Sequence, residues 1–394
     1  MATESPFFLT KVECPVCKTI NEFETIKVGA YVEEDHDTDF CPKDRRWKNP
    51  RYEVYNPLLF FMATCENCYY TREFNVSFKD WKNDTAFRTY RQKLIQSKHL
   101  EALAPEDSVL RLLGASRDPN GNPFATAIVK FMLGVYDELM MDHPHKLDIG
   151  RFYLRIAWLY REHYGQSARS NPEPILFAKD IEKAFTRLKQ SRDSLATNIT
   201  SVSQLVDSAF SKREGAAMSS SEFLGAQESF KANLAKVTEL QMALGNSISS
   251  LASVVEQNSM IFSGVPAQAD GGTLSFGGFR SFEEYVTAIK SRWNLAPINE
   301  QEALLFAIDF YKSALEEGHE IQPGNQQIQA TYLIAELSRR VGQNVDAKQY
   351  FNNTIKAGQQ FIFDNRLDQT RTALARKIVE LAVTQGKANL AAIG

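Results

Sequence analysis

The spacing of hydrophobic residues changes along this chain of 394 residues. Up to about residue 85, apolar and polar residues alternate in short runs, as at Leu58, Phe60 and Met62, which is the two-residue period of β-strands. From about residue 86, apolar residues recur every three or four positions, which is the period of amphipathic helices. We therefore predict a mostly α, α+β fold with a small β region at residues 1–85.

A strict seven-residue interval separates hydrophobic residues in the middle of the chain. The first series is Ile181, Leu188, Leu195, Val202 and Ala209, flanked by Phe185, Ile199 and Val206. The second series is Phe223, Phe230, Val237, Leu244 and Leu251, with Leu240, Val254 and Ile261 at the matching d positions. Such heptads predict coiled-coil helices. The small-residue run around Gly215 predicts that they fold back as an inserted, projecting antiparallel hairpin over residues 175–262.

The segments on either side of this hairpin, residues 86–170 and 281–394, share one packing signature. A small residue, an aromatic residue and a second small residue follow one another at intervals of four and three positions. The three copies are Ala127/Phe131/Gly134, Ala307/Tyr311/Ala314 and Ala347/Phe351/Thr354. This spacing is typical of the second helix of a TPR unit. We predict a TPR-like helical body, with a generic helical bundle as the alternative, and a flexible Gly-rich linker at residues 263–280.

The chain has five cysteines, all within the first 68 residues. Four of them form two C-x2-C pairs, Cys14 with Cys17 and Cys65 with Cys68. Each pair has the spacing with which a tight turn aims two thiolates at one ion, and two pairs complete the tetrahedral shell of a structural zinc. We predict one Zn²⁺ in a zinc-ribbon-like region whose intervening segment is an elaboration. Clustered thiols of this kind indicate a reducing compartment, so we expect a cytoplasmic protein.

The fifth cysteine, Cys41, lies in the acidic stretch HDTDFCPKD. Together with His36, Asp37 and Asp39 it offers the residue types of a second, open metal site, which would indicate a metal-dependent hydrolase. In a strand, however, His36 would point away from the other three. Free cysteines are also among the most buried residues. We favour a buried structural role for Cys41 and keep the hydrolase as an alternative.

Residues 43–52 mix basic and aromatic side chains, including Arg45, Arg46, Trp47 and Lys48. This mixture is what a nucleic-acid contact would use. The acidic residues between positions 33 and 39 nearly cancel these charges, and the net charge of the whole chain is −3. We therefore predict ion pairs between the two runs, and a nucleic-acid-associated factor remains the alternative function.

Motifs of catalysis and of membrane insertion are missing from the sequence. It contains no phosphate-binding loop and no nucleophile elbow. Its start lacks the features of a secretion signal, and no apolar run is long enough to span a bilayer. The heptads carry few Lys–Glu pairs, which favours docking of another protein or of a second copy. We expect a non-enzymatic interaction or scaffold protein that binds no membrane.

Three stretches, ECPVCKT, DTDFCP and NPRYEVYNPLLFFMATCENCYYTREF, occur in this order. Together they resemble the bacterial domain of unknown function 2225. The resemblance covers about the first 165 residues and resumes after residue 280. It implies a paired-cysteine N-terminal region followed by TPR-like helices, and it implies no particular activity.

Overall fold

The computed structural model describes residues 5–168, 188, 190–208, 221–257, 276–279 and 281–393. The chain divides into two compact units. One unit comprises Met1–Arg169 and Gln268–Gly394, and the other comprises Ser170–Ala267. The described residues form small antiparallel sheets near the N-terminus and helices elsewhere, which confirms the predicted mostly α, α+β class.

Three two-stranded antiparallel sheets make up the described β structure. They pair β1 (Phe7–Glu13) with β2 (Ile20–Ile26), β3 (Tyr31–His36) with β4 (Pro42–Trp47), and β5 (Met62–Thr64) with β6 (Thr71–Glu73). The alternating apolar residues on either side of the second cysteine pair predict longer strands than these. Instead, Pro57–Phe60 forms a 3-10 turn and Phe74–Phe78 a π-helical turn. The first turn forms because Asn56 caps the N–H of Leu58 and Pro57 has a pre-set φ.

Helices build the rest of the first unit. They are α1 (Gln92–Leu103), α2 (Val109–Ala115), α3 (Pro123–Leu139), α4 (Lys146–Ala168), α6 (Phe282–Lys290), α7 (Glu300–Glu317), α8 (Asn325–Arg340), α9 (Asn344–Asp364) and α10 (Gln369–Ile393). Helix α4 packs against α3 and α7, and α7 to α10 each pack against the next. The chain therefore leaves this body after α4 and returns to it before α7, which lies beside α4.

Close approach between these elements depends on small residues. A Cβ on Gly134 of α3 would lie 2.3 Å from Cε of Met62 in β5, and a Cβ on Gly150 of α4 would lie 3.3 Å from Cγ of Tyr311 in α7. All nine residues of the repeated packing signature are buried, in α3, α7 and α9. The signature thus identified buried helix faces, while the TPR-like arrangement itself stays a prediction.

The second unit contains helical residues 190–208 and helix α5 (Ser221–Gln257). The two helices lie close together, because a Cβ on Gly245 would be 4.0 Å from Cδ of Arg192. Most predicted seam residues whose exposure is described are not the covered ones, whereas Phe230 and the flanking Ile199 and Val206 are more covered. Leu188, Leu195, Val202, Val237 and Leu244 are each between 41% and 45% exposed. The more covered positions lie on a neighbouring stripe and include Ala196, Ile199, Ser203, Val206, Phe230, Leu234 and Thr238.

Several sequence predictions fall outside the described residues. They include the heptad positions Ile181, Phe185, Ala209 and Ile261, and most of the predicted linker. Among the helices that the structure does describe, none combines the length and the apolar character that a bilayer crossing requires.

Candidate metal centre

Each cysteine pair is held by the same backbone turn. In the first, the N–H of Cys14 donates to the carbonyl five residues later (2.8 Å), and the N–H of Lys18 donates back to Cys14 (3.1 Å). In the second, the N–H groups of Cys65 and Tyr69 make the equivalent bonds, both at 2.9 Å. Lys18 and Tyr69 have φ values of 64° and 65°. In each turn this residue has a left-handed backbone conformation that reverses the chain, so that both thiols of a pair face the same side.

The two turns bring four sulfur atoms together. Sγ of Cys14 lies 3.7 Å from that of Cys68, and Sγ of Cys17 lies 3.5 Å from that of Cys65. All four sulfur atoms are within 4.8 Å of one another. Tetrahedral zinc with Zn–S bonds of about 2.3 Å separates its sulfur ligands by roughly 3.8 Å. The four cysteines therefore fit around one metal ion, and three of them are buried.

The thiols share protons as a group rather than ionising separately. Contact with Cys14 lowers the pKa of Cys65. The hydrogen bond with Cys65 raises the pKa of Cys14, and the hydrogen bond with Cys14 raises that of Cys68. The thiolate of Cys65 is thus stabilised at the expense of Cys14 and Cys68. A divalent cation would favour all four thiolates, because the bound ion supplies the missing positive charge.

Asn21 supports the centre from β2. Its Nδ2 lies 3.5 Å from Sγ of Cys65, and its Oδ1 accepts from the N–H of Glu66 at 2.9 Å. Asn21 is 4% exposed, so both bonds are shielded from water. Strand β2 follows the first cysteine turn, so Asn21 orients the second cysteine turn from a strand attached to the first turn. Such outer contacts hold ligands in place and tune the affinity of a metal site.

A buried His–Asp pair joins the second cysteine turn to the helices. Nε2 of His99 in α1 lies 2.7 Å from the carbonyl oxygen of Cys68, to which it must donate. Nδ1 lies 2.7 Å from Oδ1 of Asp137 in α3, and Oδ2 of Asp137 accepts from the N–H of Thr71 at 2.7 Å. Burial alone would lower the pKa of His99, but the Asp137 carboxylate reverses this and raises it. The pair positions the turn that carries Cys65 and Cys68.

Cys41 lies apart from this centre, in the turn between β3 and β4. The group of cysteines whose sulfur atoms converge does not include it. Burial, followed by the nearby Asp39 carboxylate, raises the pKa of Cys41 to about 12. The thiol is therefore protonated at neutral pH and is a poor ligand or nucleophile. Its buried position agrees with the structural role that we favoured from the sequence.

The Asp-Thr-Asp-Phe stretch beside Cys41 binds the helical body. Asp39 is fully buried, and its Oδ2 accepts from Arg161 (2.7 Å) and from the indole N–H of Trp158 (3.2 Å), both in α4. The carbonyl of Thr38 accepts from the Tyr332 hydroxyl in α8 at 2.8 Å, and Asp37 pairs with Arg340 at 2.8 Å. The acidic side chains of this turn are thus used to attach a hairpin to two helices.

The structure does not bring the candidate ligands of a second metal site, at residues 36–41, together around one point. His36 is directed to Glu33 (3.6 Å), while Asp37 and Asp39 bind arginines. Within the described part of the chain, metal-ligand groups converge only at the four cysteines and at Glu317, His319 and Glu320. Both carboxylates of the second group already bind Lys146 at the start of α4, Glu320 through the backbone N–H and Glu317 through the side chain.

Two residues of the basic segment form the predicted pairs with the acidic run. Across the β3–β4 hairpin, Arg46 binds Glu34 at 2.9 Å and Lys43 lies 3.8 Å from Asp35. Arg45 binds Glu162 of α4 at 3.1 Å. Trp47 is 2% exposed, so it offers no ring on which a base could stack. The Trp47 ring is therefore not available for stacking, while Lys43, Arg46, Lys48 and Arg51 are exposed, so the nucleic-acid alternative stays a prediction.

The geometry defines a mostly helical protein with a four-cysteine centre formed by the turns of two N-terminal hairpins, β1–β2 and β5–β6. The chain belongs to the family DUF2225, described as an uncharacterized protein conserved in bacteria, whose profile matches residues 7–205 and 286–373. This confirms the resemblance found in the sequence. No curated protein and no solved structure matches the chain.

Proposed function

We propose that the protein is a non-enzymatic interaction or scaffold protein, in which a structural zinc site and a helical body carry a helical hairpin that docks a protein partner or a second copy. The observation that carries this proposal is the exposure of the heptad residues in the second unit. These residues belong to a compact unit of their own.

The exposed apolar residues follow heptad spacing on both helices. Val202 and Leu205 are 45% and 69% exposed, and Val237, Leu240 and Leu244 are 42%, 69% and 42% exposed. These residues occupy alternating four- and three-residue steps, the a and d spacing of a coiled-coil seam. These rows are exposed in the described part of the second unit, so they remain for another helix to cover.

Covering these rows would bring a substantial free-energy gain. Burying a leucine or valine side chain fully contributes about 1.5–3 kcal/mol relative to leaving it exposed. The described rows already offer several such side chains that are about half exposed. Contiguous exposed apolar surface of this kind is typical of association sites in soluble proteins.

Zinc is the ion that we propose for the cysteine centre. Four thiolates in a closed tetrahedral set favour zinc over hard cations such as Mg²⁺ and Ca²⁺, which prefer oxygen ligands. A shell filled by protein ligands leaves no position for water or substrate, so the site would be structural. The described cysteines form no disulfides, which fits a reducing compartment such as the cytoplasm.

Deleting residues 178–262 and closing the gap with a short Gly-Ser link tests the proposal. Sedimentation and affinity capture from the native host should show a sharp loss of self-assembly or of bound partners. Zinc content and the helical circular dichroism of the body should be retained. If the shortened protein keeps its partners and oligomeric state, the hairpin does not mediate association and the proposed function is wrong.

A single substitution tests the same surface without a deletion. Leu244→Asp places a charge in the exposed row and should weaken association in the same direction. Glu239→Asp, on the same helix, keeps the charge and should leave association unchanged. Equal association by both variants would contradict docking through this row.

A further inference from the structure

A cleft of about 630 Å³ lies in the first unit, between the N-terminal hairpins and α4. Its aromatic lining comprises Tyr31, Phe40, Phe60, Phe61, Phe74 and Trp158. A smaller cavity of about 170 Å³ adjoins it, and Phe40, Arg155 and Trp158 line both. The larger volume is in the range of small-molecule sites, roughly 300–1,000 Å³.

Arg155 lines the cleft from α4. Its guanidinium carbon lies 4.3 Å from the centroid of the Phe61 ring. With the residues that the structure describes, Arg155 forms neither a hydrogen bond nor an ion pair. Burial lowers the pKa of its guanidinium group. An arginine remains charged even so, and a desolvated charge is costly unless an anion pairs with it.

The other charged groups around the cleft do not neutralise Arg155. Arg45 binds Glu162 at 3.1 Å, although its Nε is buried without a hydrogen-bond partner. Glu33 lies 3.6 Å from His36. Glu73 is near Arg155 but makes no salt bridge with it, and burial raises the pKa of this carboxyl group. The carboxylates described around the cleft therefore leave Arg155 without a salt bridge.

The aromatic walls are fixed in place before any ligand arrives. The indole N–H of Trp158 donates to Asp39 at 3.2 Å, and the Phe61 ring stacks on Phe131 with centroids 5.6 Å apart. The Phe40 ring packs against Tyr332 with centroids 5.5 Å apart. A site with walls held in this way loses little conformational entropy when it binds a ligand.

We propose that this cleft binds a small organic anion with a flat aromatic ring, its carboxylate or phosphate paired with Arg155 and its ring against the aromatic walls. Arginine matches the geometry of both oxyanions through two parallel hydrogen bonds. The site is separate from the cysteine centre, and it does not depend on the helical hairpin of the second unit. Its failure would leave the proposed interaction function unaffected.

Ligand-observed NMR on the full chain tests this binding. The probes are benzoate, indole-3-acetate and adenosine 5′-monophosphate, each compared with its uncharged counterpart: benzamide, indole-3-acetamide and adenosine. At least one anion should bind. Its uncharged counterpart should bind at least about tenfold more weakly, because a charge-assisted hydrogen bond is lost. Carboxylate and phosphate probes distinguish the two kinds of anion. Failure of all three anions to bind would overturn the proposal.

Variants assign the binding to the cleft. Arg155→Gln should remove the preference for the anion, whereas Arg51→Gln, at an exposed arginine outside the cleft, should keep it. Asn75 is exposed and lines the cleft, so Asn75→Trp should block the cleft without disturbing the core. Asn75→Trp also serves if Arg155→Gln fails to fold. Unchanged binding in Asn75→Trp would contradict the proposed site.

Discussion

Asp39→Asn tests whether the turn beside Cys41 fastens the β3–β4 hairpin to the helical body. Asp39 is fully buried and accepts from Arg161 at 2.7 Å and from Trp158 at 3.2 Å, with Arg340 at 3.8 Å. Asparagine has nearly the same shape, so the substitution removes the charge and leaves the packing. The amide would also direct its NH₂ group at donors that need an acceptor.

The expected loss of stability follows from the partners that remain. Breaking a buried ion pair costs about 3–5 kcal/mol when the surviving charge has no other partner. Here Arg161 keeps Glu300 at 2.7 Å and Arg340 keeps Asp37 at 2.8 Å. We therefore expect a smaller loss of stability, about 2–3 kcal/mol, close to the contribution of one or two charge-assisted hydrogen bonds.

Urea denaturation of the full chain measures this loss. Asp35→Asn is the matched control, because Asp35 lies on the same hairpin with its side chain 61% exposed and 3.8 Å from Lys43. It should change stability by less than about 0.5 kcal/mol. Combining Asp39→Asn with Arg161→Gln should cost less than the sum of the single substitutions. Equal midpoints for Asp39→Asn and Asp35→Asn would refute the role assigned to the turn.

Three further substitutions test the centre and its supports. Asn21→Leu should weaken zinc binding on the order of tenfold in a chelator competition, because the outer contact to Cys65 is lost; unchanged affinity would contradict this role. Asp137→Ala should lower the free energy of unfolding by about 3 kcal/mol, since it leaves the donors of His99 and Thr71 unpaired. Gly134→Val should cost about 1–3 kcal/mol through overpacking against Met62. Urea melts matching the wild type would contradict either value.

Local spacing predicted the features whose partners are close in sequence. Two cysteines separated by two residues define a turn on their own, so Cys14, Cys17, Cys65 and Cys68 were predictable as a group. Charges on paired strands were predictable in the same way, as Arg46 and Glu34 show. The short length of the strands around the second cysteine pair was harder to predict from the sequence, because capping by Asn56 replaces the expected strand with a turn.

Features formed by distant segments could not be predicted from spacing. His99 and Asp137 are each one of several polar residues in their helices, and only the fold brings them together. Arg155 resembles any arginine in a helix until the cleft around it is seen. The heptads predicted helices, but an interval of seven residues does not decide which neighbour covers the stripe. Leu195 and Leu244 are 41% and 42% exposed, while Ile199 and Val206 beside the first series are more covered.

The metal content of three purified proteins tests the four-cysteine centre most directly. Elemental mass spectrometry should find one zinc ion per chain in the wild type and in Cys41→Ser, because Cys41 lies outside the converging sulfur atoms. Cys65→Ser should lose the ion and unfold the N-terminal hairpins, since binding of a structural metal contributes to folding. Two ions per chain in the wild type, or loss of zinc in Cys41→Ser, would contradict the assignment of these cysteines.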